Sequence, residues 1–227
     1  MLSNSKPVSE GTVIMAESQY AGRGQQQNKW HSSDGKNLTF SLLLNPVFLP
    51  VVNQFDLTRA ISLGVYDALE PLLGEGLKIK WPNDIYFRDN KLGGILIENV
   101  LQGEKIKQSV IGIGLNINED DFPAWVPNPI SVKQILQRDE DKMQILFDIC
   151  SHIEGWYLKL KAGHLDDIRS AYLKRLYWLN QQRKFRSAGE VFEGAIKGVK
   201  NNGLLVVKNN FETELEFTFK QIEFLNR

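Results

Sequence analysis

Short runs in which apolar positions alternate with small or polar ones occur at Gly11–Ala16, Leu38–Leu44, Lys78–Trp81, Gly94–Ile97 and Val110–Ile117. Each is bounded by Gly, Asn or Asp, the pattern of strands between turns. Between the second and third runs, Phe55, Leu57, Ala60, Ile61, Gly64, Val65, Ala68, Leu69 and Leu72 recur at helical spacing and predict a helix over Asn53–Leu73. Lys133–Leu136 reads as a short helical turn. Lys142–Leu160 reads as a longer helix with Ile145, Leu146, Ile149, Ile153, Trp156 and Leu160 on one stripe, and Leu165–Leu176 as another helix. After about Asn180 the texture changes to short β-like runs at Glu190–Val199, Gly203–Val207 and Leu215–Thr218, with Asn201-Asn202-Gly203 as a turn between the first two. The expectation is an α+β chain. Residues 1–180 would form a mixed β-sheet with helices against one side, and residues 181–227 a small β-barrel packed closely on it.

Composition narrows the classes of function. The 227 residues are 42% hydrophobic and 24% charged, as in an ordinary globular protein. Lys+Arg and Asp+Glu number 27 each, so no global excess of charge draws the chain to nucleic acid or to an anionic membrane. The single cysteine, Cys150, has no partner for an internal disulfide, and its apolar neighbours predict a buried helix face. His31, His152 and His164 are too scattered to make a metal-ligand set with Cys150, so no structural zinc is expected. The first residues lack the pattern of a signal peptide, and no apolar run approaches the roughly 20 residues that span a bilayer. A cytoplasmic protein is the expectation.

Four segments carry candidate chemistry. Ala21-Gly22-Arg23-Gly24-Gln25-Gln26-Gln27-Asn28-Lys29-Trp30 follows a strand; its glycines allow close backbone approach, Arg23 can fork onto a phosphate or carboxylate, and Trp30 can stack on a planar ring. A solvated loop is the plainer account of it. Lys80-Trp81-Pro82-Asn83-Asp84 ends a strand on a proline, which holds Asn83 and Asp84 where a pocket can form and where Asp84 can orient or deprotonate an amine; it also reads as a simple turn. Lys91-Leu92-Gly93-Gly94-Ile95-Leu96-Ile97-Glu98 puts a compact cation before two glycines, suited to a carboxylate or phosphate whose charge grows in a transition state, or to nothing more than a hairpin. Gly112-Ile113-Gly114-Leu115-Asn116-Ile117-Asn118 puts Gly112, Gly114, Asn116 and Asn118 on one strand face, too empty to be core packing. It is no dinucleotide fingerprint, because the third glycine and the following helix are missing, and no Walker-type phosphate loop occurs.

Taken together and in this order, the four segments resemble the motifs of the biotin–protein ligase family, strongly over Gly11–Asn118 and more weakly beyond. The resemblance implies a mixed sheet flanked by helices, as in the class II synthetase-like biotin/lipoate ligases, with an SH3-like C-terminal barrel. It implies an ATP-dependent enzyme that adenylates biotin to biotinyl-5′-AMP and transfers it to a lysine of a biotin carboxyl carrier protein, with Mg²⁺ accompanying ATP. Lys91, Arg23 and Asp84 would be catalytic. Gln19, Gly22, Arg23, Lys91, Gly94 and Leu96 would hold biotin. Arg23, Trp30, Asn83, Lys91 and Asn116 would hold ATP and the adenylate, with Trp30 closing over adenine and the Gly22–Trp30 loop ordering over the intermediate. No residue is expected to be a dedicated metal ligand.

The sequence departs from the family at three places. The family's Ser-Thr-Asn-like element near the biotin ring is not matched in the residues before Gly11, since Ser3-Asn4-Ser5 lies too near the glycine loop. Gln25-Gln26-Gln27-Asn28 stands where the family often has more arginine and a glycine, a less basic loop that would hold the adenylate less tightly. There is no room for an N-terminal helix-turn-helix, so direct DNA binding is not expected. A ligase-like binder without turnover, a lipoate–protein ligase and a nucleic-acid or peptide module built on the C-terminal barrel stay open, as does the choice between monomer and homodimer.

Overall fold

The computed structural model describes residues 8–24 and 29–225. Ser3-Asn4-Ser5 and Gln25–Asn28 lie outside the described residues. The chain begins with β1 (Val13–Ala16), β2 (Gly22–Arg23), β3 (Lys29–Trp30) and β4 (Leu38–Leu44), followed by α1 (Gln54–Leu73). It continues through β5 (Leu77–Lys80), β6 (Asp84–Phe87), β7 (Asn90–Gln102) and β8 (Lys105–Leu115), then α2 (Val132–Leu136), α3 (Lys142–Lys161) and α4 (Leu165–Lys174). The last part is β9 (Gln182–Ser187), β10 (Glu190–Val199), β11 (Leu205–Asn209), β12 (Glu214–Phe217) and β13 (Glu223–Phe224).

The main sheet has the order β1-β4-β8-β7-β6-β5. All of its ladders are antiparallel, where the sequence suggested a mixed sheet. Short connections explain the β5–β6, β6–β7 and β7–β8 ladders, since a turn of two or three residues returns a strand antiparallel. Parallel pairing is confined to isolated bridges such as Ile79↔Leu176 and Lys91↔Pro129. On β4, Leu38, Phe40, Leu42 and Leu44 are buried and the residues between them half-buried. On β8, Ile111, Ile113 and Leu115 join the same core.

Helix α1 presents Leu57, Ala60, Ile61, Val65 and Leu69 to that core, all fully buried. It crosses α3 closely, because a Cβ on Gly64 would lie 2.7 Å from the Ile153 Cα. Helix α3 starts on Asp141, whose carboxylate accepts from the Met143 and Gln144 amides. It buries Ile145, Leu146, Ile149, Ile153, Tyr157 and Leu160. Trp156 lies at the margin of this stripe and donates its Nε1–H to Asp67 at 2.8 Å. Cys150 is half-buried on α3, and burial pushes its thiol pKa up. None of the described helices is long and apolar enough to cross a membrane.

The C-terminal strands form one antiparallel sheet in the order β12-β11-β10-β9-β13, which stays open among the described residues. Strands β6, β9 and β13 were not read from the sequence. β6 follows turn residues and is only four residues long, and β9 is polar except for its buried Phe185.

This sheet is docked by buried polar contacts. Arg59 Nη2 donates to the carbonyls of Val199 at 3.0 Å and Lys200 at 2.7 Å. Trp81 Nε1–H donates to the Gly203 carbonyl at 2.9 Å. Gly203 sits in the Asn201-Asn202-Gly203 turn at φ +91°, and a side chain there would strike Phe55. Behind Arg59, the wholly buried Asp56 accepts from Arg59 Nη1 at 2.5 Å, Arg169 Nε at 3.1 Å and Arg169 Nη2 at 2.7 Å.

Removing one partner of a buried ion pair typically costs about 3–5 kcal/mol, because the other charge is left uncompensated. Asp56→Ala is therefore expected to lower the urea midpoint sharply and to loosen the C-terminal sheet. A midpoint equal to that of the unaltered chain would show that the network does not stabilise the fold.

Candidate active site

The site lies where β7 and β8 pair without side chains between them. Gly94 is directly opposite Gly114, and Leu96 is opposite Gly112. The bare patch is half-covered by Trp30, whose indole would be 2.5 Å from a Cβ on Gly114. Trp30 reaches that place through the β2–β3 pair, in which Gly22 is opposite Trp30. A Cβ on Gly22 would lie 2.4 Å from the Trp30 carbonyl, so the pair closes only on glycine.

Two cavities open on either side of the indole. The first, of about 240 Å³, is lined by Gln19, Arg23, Trp30, Asn83, Asp84, Lys91, Gly94, Leu96, Gly112 and Gly114, among others. Gln19 Oε1, Trp30 Nε1 and Thr39 Oγ1 belong to lining residues, are buried, and have no hydrogen-bond partner among the described residues. Buried polar atoms are nearly always satisfied, so three unpaired ones among the lining residues mark a polar shortfall in the wall of this cavity. The second cavity, of about 400 Å³, is lined by Lys29, Trp30, His31, Lys91, Asn116, Phe122, Trp125, Val126, Pro127 and Pro129.

Lys91 lines both cavities. Its Nζ is 2.7 Å from Asp84 Oδ1, with side-chain exposures of 31% and 23%. A partly exposed pair of this kind contributes about 0–1 kcal/mol, so Lys91 can exchange Asp84 for another anion at small cost. Gly94 is opposite Asp84, and a Cβ there would lie 3.3 Å from Asp84 Oδ1 and 3.4 Å from Lys91 Nζ. Asn83 is tied down by donating its side-chain amide to the Ile95 carbonyl while Ile95 N donates to the Asn83 carbonyl at 3.0 Å.

The structure thus brings Gln19, Arg23, Asn83, Asp84, Gly94 and Leu96 to the first cavity, Asn116 to the second, and Trp30 and Lys91 to the boundary between them. Gly22 acts through its pairing with Trp30. Asn118 serves the fold instead: strand β8 ends at Leu115, and the Asn118 side chain exchanges hydrogen bonds with the Glu140 backbone at 2.9 Å each.

Two contributors escaped the sequence reading, and a third, Lys80, was read only as the first residue of its segment. The Phe122–Pro129 loop walls the second cavity, with His31 and Trp125 edge-to-face at 5.9 Å; its signal was a pair of aromatics among prolines. Phe219, beyond β12, reaches the first cavity and lies against Trp81 at 6.2 Å. Lys80 stands behind Asp84 and lines neither cavity. Its Nζ donates to the Tyr86 hydroxyl at 3.0 Å and lies over the rings of Tyr86 and Phe224 at 4.5 and 4.9 Å. Burial pushes the Lys80 ammonium down to about 8, against the pull of Asp84 and with the push of Lys91. Among the described residues no three His, Cys, Asp or Glu side chains converge as a metal site.

An all-antiparallel sheet with a glycine floor, a tryptophan over it and a lysine shared by two cavities defines a small-molecule site in two parts. Residues 2–116, just over half of the chain, match the Biotin/lipoate A/B protein ligase family, and the chain belongs to that family. It is 28% identical over 204 residues to the bifunctional ligase/repressor BirA of Bacillus subtilis, covering 88% of this chain and 62% of that protein. The chain thus spans about three fifths of that relative's length. With the biotin–[acetyl-CoA-carboxylase] ligase of Paracoccus denitrificans the identity is 28% over 201 residues, covering 86% and 83%. The biotin protein ligase of Aquifex aeolicus, solved in complex with biotin and ATP, superimposes with a TM-score of 0.80 at 26% identity over 97% of this chain and 91% of that one.

Lys80 generates a stability prediction. Its folded-state value of about 8 lies below the ordinary 10.5, so across that window the unfolded chain binds more protons and stability rises with pH. Urea unfolding of Lys80→Met against the unaltered chain across this window is expected to show the variant lacking that part of the rise. Parallel curves would mean that Lys80 titrates normally.

Proposed function

We propose that this chain is an ATP-dependent biotin–protein ligase, which forms biotinyl-5′-AMP and transfers biotin to a lysine of a biotin carboxyl carrier protein, acting in the cytoplasm where ATP is available. The observation that carries the reading is the position of Lys91, a movable cation between two cavities. Biotin would occupy the first, whose lining combines the polar Gln19 and Thr39 with the apolar Leu96 and Ile113. Adenine would occupy the second, against Trp30, Trp125 and Asn116. Biotin's carboxylate and the α-phosphate would then meet at Lys91 and Arg23. One carboxylate oxygen attacks the α-phosphorus, the bond to pyrophosphate breaks, and the two cations offset the accumulating negative charge.

In transfer, the carrier lysine attacks the acyl carbon of the mixed anhydride and AMP leaves, with Asp84 as orienter or base. Gly22, Gly94 and Asn83 serve by shaping the walls. With no converging acidic set among the described residues, Mg²⁺ would enter with the triphosphate rather than wait in the protein. The C-terminal sheet is read as the family's SH3-like module, on residues 181–227 beside a catalytic part on 1–180. The names of the curated relatives favour biotin over lipoate.

The test is biotin- and ATP-dependent labelling of a purified carrier domain. Labelling that lipoate does not compete away supports the reading. No labelling, with biotin still bound, would favour a binder without turnover. Lys91→Ala is expected to slow pyrophosphate release by about 10²–10³-fold, the usual effect of removing a group aimed at developing charge; near-normal release would contradict its assignment. Asp84→Asn is expected to slow transfer from preformed biotinyl-5′-AMP more than it slows adenylation, and equal slowing would deny Asp84 a separate role.

A further inference from the structure

Directly opposed residues of an antiparallel pair put their side chains on one face. Lys80 on β5 is opposite Asp84 on β6, which is opposite Gly94 on β7, where Lys91 Nζ also arrives. Three charges therefore stand in a row, plus, minus, plus, with the carboxylate in the middle. The direct ion pair is with Lys91, and Lys80 stays held by Tyr86 and Phe224. Lys80 touches neither cavity, so whatever it does for a ligand it does through Asp84.

The ligase reading, on which this inference rests, asks Lys91 to turn toward the substrate's carboxylate and phosphate. Asp84 then loses the only cation in direct contact with it among the described residues, at the moment it must take a proton from the carrier lysine. We propose that Lys80 is a positioning residue for the transfer half-reaction, a second cation that holds the Asp84 carboxylate in place once Lys91 has left it. The carrier's ε-ammonium gives one proton to an Asp84 oxygen. The freed lone pair forms the C–N bond at the acyl carbon, the C–O bond to phosphate breaks with its electron pair leaving on AMP, and the second N–H proton departs with the phosphate.

The surroundings agree with this role. The charges acting on Lys80 are those of Asp84 and Lys91; Tyr86 on β6 and Phe224 on β13 enclose it, Tyr177 packs on Tyr86, and the Tyr172 hydroxyl reaches the Pro82 carbonyl at 3.4 Å. Burial raises the pKa of Tyr86, Tyr172 and Tyr177, so these three stay neutral and, among the described residues, Lys80 is the remaining cation behind the carboxylate. Phe224 belongs to the C-terminal sheet, which makes that sheet part of the enclosure that sets the lysine's charge.

The experiment reads Asp84 directly. Carbon-13 NMR of its carboxyl in a Lys91→Ala chain mimics the departure of Lys91. Adding Lys80→Met is expected to raise the Asp84 midpoint, the direction an opposite charge taken away gives, and adding Lys80→Arg instead is expected to hold it. In chains with Lys91 intact, Lys80→Met should move the acid limb of transfer from preformed biotinyl-5′-AMP upward, while the acid limb of pyrophosphate release stays in place. An unmoved Asp84 midpoint, a failure of arginine to hold it, or equal movement of both acid limbs would overturn the proposal. A chain that releases no pyrophosphate at all would overturn the ligase reading, and the Asp84 titration would still decide whether Lys80 governs its charge.

Discussion

The site depends on a patch of sheet that carries no side chains. Gly94 and Gly114 face each other across β7 and β8, and the space above them is filled by neither strand. A sheet face without side chains forfeits packing, so something else must lie on it. Trp30 lies on Gly114, and the first cavity lies against Gly94, Gly112 and Gly114. A side chain on Gly114 would evict the indole, and one on Gly94 would crowd Lys91 and Asp84. Both the division into two cavities and the meeting of charges at their boundary follow from that bare floor.

The energetics of the two ionic groupings run in opposite directions. Asp56 is fully buried and held by two arginines, so losing either partner strands a charge in a dry interior. Asp84 and Lys91 are partly exposed, so their pair stabilises little and can be exchanged. The first grouping holds the C-terminal sheet against α1 and thereby sets Phe219 at the first cavity and Phe224 over Lys80. Rigidity is placed away from the chemistry, and exchangeable charge is placed at it.

Much of this was legible because glycine, proline and charge have few other reasons to occur in these patterns. Gly22 paired with Trp30, Gly94 beside Lys91, and the turn that carries Asn83 and Asp84 all stand where local chemistry placed them. The helical period of α3 was equally plain, since it buries one stripe, and that of α1 was legible even though Arg59–Tyr66 is buried on all sides. The main sheet's strand directions were not legible, because alternation along a strand says nothing about its neighbour. Strand β6 was hidden by the turn residues at its start, and β9 by five polar residues around Phe185. The second cavity's outer wall has no period to read: Phe122 and Trp125 are placed by tertiary contacts.

Those contacts explain why one lysine can serve two cavities. The Lys91 amide donates to the Asn128 carbonyl at 2.6 Å, and the Ile130 amide donates to the Lys91 carbonyl at 3.0 Å, so the residue's backbone is strapped to the loop that walls the second cavity. Asn116, on the same side, donates its side-chain amide to the Ile130 carbonyl at 3.1 Å and steadies that strap. The Lys91 side chain leaves this fixed point in the other direction, across the glycine floor to Asp84 in the first cavity. A ligand that orders the Phe122–Pro129 loop therefore also fixes the base of the arm that reaches the other ligand. Arginine would be a poor replacement at this position, because its planar fork prefers one bidentate partner, whereas an ammonium on a flexible stem can pass from one anion to the next.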